Sequence, residues 1–151
     1  MGSSELMENT VPTIIKTDTK ILQKPPWSPA LIATITILFT VLPGGIFHAL
    51  NYERLWLPQK KAWTLKTNLL LFLFIFLASF RITNTILFGL FQTVFHIGCA
   101  THFYKTQSGL YQKHLTKNHT KAPISFPLFI SFIVYLLILG LMTGLSYLFD
   151  I

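Results

Sequence analysis

Long apolar runs alternate with short polar stretches along the 151-residue chain, and this alternation predicts its elements. The apolar runs lie at about residues 29–50, 64–81, 82–104 and 124–149. Because roughly 20 apolar residues are enough for a helix to cross a bilayer, the pattern predicts an all-α membrane protein with a bundle of four transmembrane helices. The polar residues 1–26 predict a mobile N-terminal tail, which leaves 27–151 as a single transmembrane domain.

Two of the predicted spans contain features that interrupt a simple crossing. The sequence Pro43-Gly44-Gly45 lies in the first span and predicts a kink or break near its far end. Ser28 can cap the start of that span, with Pro29 at the first helical position. The second span has its strongly apolar part only at 67–80, so it either recruits residues from Trp63 onward or is re-entrant.

The composition of the chain supports a membrane protein rather than a soluble one. Hydrophobic residues make up 52% of the chain and charged residues 11%, and this charged share is less than half of the usual value in soluble domains. The net charge is +7, and the basic residues lie between the apolar runs. We therefore expect a lipid bilayer with anionic headgroups as the partner and predict no nucleic acid.

The distribution of Lys and Arg predicts an orientation. Four spans would place both chain ends on one side, together with Lys16, Lys20, Lys24 and Arg81. The connectors 51–66 and 105–123 would lie on the other side with eight basic residues. Since cytoplasmic loops are the richer in Lys and Arg, the sequence predicts that these connectors are cytoplasmic.

The third span carries a polar face. His96, Cys99 and His102 recur at every third residue, and Gln92 lies one turn before them, so they share one side of a helix. His48, near the end of the first span, is expected at the same membrane depth. These residues predict a polar path, or ligands of a transition metal or haem. The alternative is that they form hydrogen bonds between helices. Cys99 is the single cysteine, so it cannot form an internal disulfide, and no cofactor is predicted.

Gly140 and Gly144 in the last span form a small-x-x-x-small pattern. Such a pattern lets two helix backbones approach closely, so it predicts helix packing. Self-association and packing within the chain's own bundle are both open.

Aromatic and basic residues at the ends of the spans predict anchoring at the lipid headgroups. The residues expected to anchor are Arg54, Trp56, Trp63, Lys113, Lys117 and Lys121. The three lysines after residue 110 recur at every fourth position, which predicts a short basic amphipathic helix on anionic lipid, capped by Ser108. A solvated basic loop is the alternative.

The sequence contains no pattern typical of an enzyme. There is no Gly-rich phosphate loop, no His-Glu-x-x-His and no Ser/His/Asp arrangement. Glu53, beside Arg54, indicates an ion pair at the interface. We therefore expect no enzymatic activity.

One segment carries a resemblance. Pro43-Gly44-Gly45 followed by Asn51-Tyr52-Glu53-Arg54-Leu55 resembles a segment of uncharacterised bacterial multi-pass membrane proteins, over residues 27–63. In those proteins a Gly usually stands where this chain has Trp56, and residues separate the proline from the glycines. The resemblance implies a bacterial membrane, and we expect a multi-pass protein of the bacterial inner membrane.

These observations predict a protein that acts through helix–helix contacts, as an accessory subunit of a membrane complex or as a self-associating bundle. A small transporter or channel with a His-lined polar path is the alternative. Helical bundles support many functions, so the fold class alone does not separate the two.

Overall fold

The computed structural model describes residues 24–82, 84–118 and 120–149. The chain forms five helices there: α1 (Pro29–Phe39), α2 (Val41–Arg54), α3 (Pro58–Ser79), α4 (Thr85–Asn118) and α5 (Ser125–Phe149). The predicted all-α class is confirmed. The predicted tail, 1–26, lies outside the described residues apart from its last three.

α1 begins where the sequence predicts and ends early. Ser28 Oγ accepts a hydrogen bond from the Leu31 N–H at 3.1 Å, and Pro29 is the first residue of the helix. The helix ends at Phe39 because Pro43 cannot donate to the carbonyl four residues before it, and its ring would clash with that carbonyl. Thr40 bridges the break with φ 120°, a conformation that is costly for any residue with a Cβ.

α1 and α2 fold back on each other as a helical hairpin. Trp27, before α1, donates its N–H to Asn51 Oδ1 near the end of α2 at 2.9 Å, and the rings of Trp27 and Phe47 lie 5.0 Å apart. The 11 residues of α1 extend about 16 Å, roughly half the thickness of a bilayer core. The predicted first crossing at 29–50 is therefore not confirmed, since α2 leads the chain back toward Trp27.

The two glycines after Pro43 make the hairpin and its neighbour fit. A Cβ added at Gly44 would lie 3.0 Å from Thr36 Cα and would overlap the Thr36 side chain, so Gly44 allows close contact between α1 and α2. A Cβ at Gly45 would lie 2.6 Å from Asn68 Cβ on α3. Asn68 Nδ2 also donates to the Gly45 carbonyl at 3.0 Å. The glycines thus bring three helices together rather than bending one.

Three helices, α3, α4 and α5, are long and apolar enough to cross a membrane. α3 begins at Pro58 and has 22 residues, so the short second run recruits residues before 64 and reaches spanning length. α5 agrees with the predicted span at 124–149. The predicted count of four crossings is not supported, because three of the five helices qualify.

α4 extends well beyond its predicted end. It runs over 34 residues to Asn118, whereas the sequence predicted a span at 82–104 and a separate basic segment. Ser108 lies inside this helix and therefore does not cap a new one. The basic segment is helical up to Asn118, as its periodicity predicted, but it continues α4 rather than lying apart from it.

The outer surfaces of the spanning helices suit lipid. Only 11%, 22% and 6% of the most apolar windows of α3, α4 and α5 are buried within the chain. Apolar side chains that remain exposed over this length are stable in a hydrocarbon solvent. The structure therefore agrees with a membrane protein.

The hairpin is the centre of the fold. α3 packs against α2, α4 packs mainly against α1, and α5 contacts both halves of the hairpin. Contacts among α3, α4 and α5 themselves are sparse in the part of the chain described. The buried core contains Ile32, Ile35, Val41 and Phe47 of the hairpin together with Phe103 of α4.

The three long apolar helices separate the two ends of the described chain. Lys24, the connector between α2 and α3, and the C-terminal end of α4 lie together, and the Ala122 N–H donates to the Pro26 carbonyl at 3.1 Å. We call this end the basic face. The turn at Arg81 and the end of α5 lie at the opposite end. The predicted placement of both chain ends on one side concerns residues outside the described ranges and stays a prediction.

Candidate functional site

A buried polar junction joins the hairpin to α4 near the basic face. Asn51 is fully buried; its Oδ1 accepts from the Trp27 N–H, and its Nδ2 donates to the Trp27 carbonyl at 3.0 Å and to Gln107 Oε1 at 2.9 Å. Gln107 is also fully buried and donates Nε2 to the His48 carbonyl at 2.7 Å. We call the four residues Trp27, His48, Asn51 and Gln107 the polar junction. Each amide in it bonds to groups of the chain itself.

Arg54 closes the junction on the basic face. Its guanidinium donates to the Pro25 carbonyl at 2.7 Å and lies 3.5 Å from the centroid of the Trp27 ring. Burial lowers the pKa of Arg54, and the charge of Glu53 opposes that change. The predicted headgroup anchor therefore binds a carbonyl and an indole of its own chain.

An ion pair bridges the connector between α2 and α3. Lys61 Nζ lies 2.6 Å from Glu53 Oε2. This hydrogen bond, together with the charge of Lys61, lowers the pKa of Glu53. Glu53 thus forms an exposed ion pair between α2 and α3, and the charge of the neighbouring Arg54 also lowers its pKa.

Two of the candidate path residues come together. The rings of His48 and His102 have centroids 6.3 Å apart, and His48 Nε2 lies 3.1 Å from Thr106 Oγ1. Phe103 stacks on His48 with a centroid distance of 4.2 Å. His48 is 2% exposed whereas His102 is exposed, so the pair runs from the core to the outside.

The remaining candidate path residues lie further along α4 toward the opposite end. His96 is buried, while Gln92 and Cys99 are half-buried. No group of three His, Cys, Asp or Glu side chains that could hold a metal ion occurs among residues 24–82, 84–118 and 120–149. The described residues thus do not assemble the ligand set that the sequence left open, and the polar path stays a prediction.

The predicted interface anchors lie at the basic face. Trp56 and Trp63 are 64% and 75% exposed, and Lys113, Lys117 and Lys121 are exposed as well. Their position agrees with anchoring at headgroups, which stays a prediction.

Trp56 has an unusual backbone. Its φ is 65°, and it follows the C-cap of α2, where the Leu57 N–H donates to the Tyr52 carbonyl at 2.8 Å and the Trp56 N–H to the Glu53 carbonyl at 3.3 Å. This is a Schellman motif, whose left-handed position normally holds Gly. A residue with a Cβ costs about 1 kcal/mol there.

Gly140 and Gly144 lie on an open surface of α5. Both are exposed, and a Cβ added to either would have no neighbour within 4 Å. The described part of the chain therefore does not use them for packing, and self-association through them stays a prediction.

The sequence reasoning missed Gln107, which lies after the predicted end of the third span. The buried residues of α4 form one stripe with helical spacing: His96, Ala100, Phe103, Gln107, Tyr111 and His114. Extending this 3.6-residue period beyond Tyr104 would have identified Gln107 as a buried residue.

Comparison with known proteins adds no assignment. No protein-family model, no curated protein and no solved structure matches the chain. The functional argument therefore rests on the geometry described above.

Proposed function

We propose that this membrane protein acts through contacts of its spanning helices, as an accessory subunit of a membrane complex or as a self-associating bundle. The observation that carries the proposal is the packing of α3, α4 and α5 on a hairpin of half the bilayer depth. Beyond the hairpin tip at Thr40, the described helices have little of their own chain to pack against. A partner helix would cover these surfaces.

The open glycine face of α5 supports the same proposal. In lipid, helices associate through close van der Waals packing at small residues, because apolar side chains gain nothing over lipid tails. Gly140 and Gly144 offer such a surface, and no residue of the described chain fills it. The polar junction, in contrast, has its amides bonded internally and serves the fold.

Native mass spectrometry on the full chain, extracted gently from its own membrane, tests the proposal. Additional subunits would support an accessory role, and multiples of 17.2 kDa would support self-association. Replacing Gly140 and Gly144 by Leu should shift the assembly to the 17.2 kDa monomer. The matched control replaces Gly89 and Gly98 of α4, which have equally open surroundings, and should leave the assembly intact. A strictly monomeric wild-type chain without partners would contradict the proposal.

A small transporter or channel is the second candidate. It is favoured by the approach of His48 to His102 beside a re-entrant hairpin, since broken helices at membrane depth often line paths for ions. Flux of protons, metal ions or common anions into liposomes that contain the purified chain would support it. Absence of all three fluxes would leave the contact role.

A further inference from the structure

A groove on the basic face has the chemistry of a lipid headgroup site. It lies between the turn after α2 and the C-terminal turns of α4 and has a volume of about 170 Å³. Its lining residues are Leu55, Trp56, Leu110, Lys113, His114 and Lys117. We propose that this groove binds the headgroup phosphate of an anionic phospholipid, with Lys113 and Lys117 at the phosphate and the apolar residues at the glycerol end.

The charges of the groove favour an anion. Lys113 and Lys117 are one turn apart on α4, so their ammonium groups reach the same space. Within the described ranges, Glu53 is the single acidic residue, and its carboxylate bonds to Lys61 at 2.6 Å. The described chain therefore provides no carboxylate for the two groove lysines, and a phosphate would neutralise them.

The walls of the groove favour a lipid over a free phosphate. Leu55 and Leu110 also line the groove, and an inorganic anion would leave these apolar side chains without a contact. The groove also lies on the basic face, beside the end of α2. An amphiphilic ligand matches both the polar and the apolar part.

The conformation of Trp56 supports a role for its side chain. The position is left-handed, with φ 65°, and would be relaxed by Gly, yet it carries an indole that is 64% exposed and lines the groove. Indoles favour the interface between headgroups and acyl chains. The unfavourable backbone is thus combined with a side chain suited to that location.

Native mass spectrometry of the full chain in mild detergent, with equal amounts of dioleoylphosphatidylglycerol and dioleoylphosphatidylcholine, tests the proposal. The wild type should retain mainly the anionic lipid. Lys113→Gln with Lys117→Gln should reduce that preference on the order of tenfold, because each lysine near a headgroup contributes to anionic binding. The control, Lys66→Gln with Lys105→Gln, removes the same charge from exposed positions outside the groove and should change it by less than about twofold.

Trp56→Gly is a second test variant, which should change stability and lipid binding in opposite directions. It should raise the unfolding temperature by relieving the left-handed backbone, and it should still lower retention of the anionic lipid. Unchanged lipid retention in this variant, an equal loss in both lysine pairs, or no preference in the wild type would each overturn the proposal. Displacement of the lipid by millimolar inorganic phosphate, with phosphate bound in its place, would overturn the lipid assignment in favour of a soluble anion.

Discussion

The buried side chain of Asn51 joins the start of the hairpin to its end and to α4. One buried amide accepts from the Trp27 N–H and donates to two further oxygens, one of them on Gln107 of α4. A carboxylate could accept but not donate, and an apolar side chain could do neither. In a membrane, where water is scarce, the Trp27 N–H, the Trp27 carbonyl and Gln107 Oε1 would then lack a hydrogen-bond partner. Only an amide side chain therefore suits this position.

Replacing Asn51 by Leu should lower the free energy of unfolding by about 3 kcal/mol, since each buried group left without a partner costs about 1–3 kcal/mol. Asn51→Asp should also destabilise, because both donated hydrogen bonds are lost. Chemical unfolding in detergent micelles, followed by helicity, measures the change. Gln112→Leu on the exposed side of α4 is the control and should have little effect; equal losses in both would contradict the central role of Asn51.

At the scale of elements, the hairpin exists because two local features act together. Pro43 ends α1 at Phe39, and Gly44 lets the returning helix lie directly against Thr36. Pro43 falls in the first turn of α2, where its missing N–H has no helical partner to lose. The same proline thus stops one helix and is tolerated in the next.

Gly44→Ala should separate α1 from α2 and lower the unfolding free energy by about 1–3 kcal/mol, the usual cost of overpacking. Gly98→Ala on α4 is the matched control. Its Cβ has open space, so the substitution should be neutral or stabilising through helix propensity. Thermal unfolding of both variants in the same detergent measures the difference, and a Gly44→Ala variant as stable as Gly98→Ala would contradict the close packing of the hairpin.

At the scale of the whole molecule, the hairpin changes the charge distribution across the membrane. The described basic residues at or near the basic face are Lys24, Arg54, Lys60, Lys61, Lys66, Lys105, Lys113, Lys117 and Lys121. At the opposite end, Arg81 is the single Lys or Arg of the described residues. With three crossings, the asymmetry would be far larger than with four, and the positive-inside tendency predicts a cytoplasmic basic face.

Single cysteines in a Cys99→Ser background test this topology. Lys24→Cys and Gln59→Cys should react with a membrane-impermeant maleimide in inverted vesicles, and Asn84→Cys should react in right-side-out vesicles. The otherwise identical protein without these cysteines is the control and should not react. Labelling of Lys24→Cys together with Asn84→Cys, opposite Gln59→Cys, would restore the four-crossing arrangement.

The sequence by itself determined the helical class, the cap at Ser28, the span of α5 and the break close to Pro43, because these depend on local hydrophobicity and backbone chemistry. The tertiary structure decided that the first apolar run turns back, since two half-length helices and one kinked span have the same hydropathy. It also decided that Arg54 binds Pro25 and that Asn51 meets Gln107. These contacts join residues far apart in the chain, so they follow from packing rather than from the local pattern.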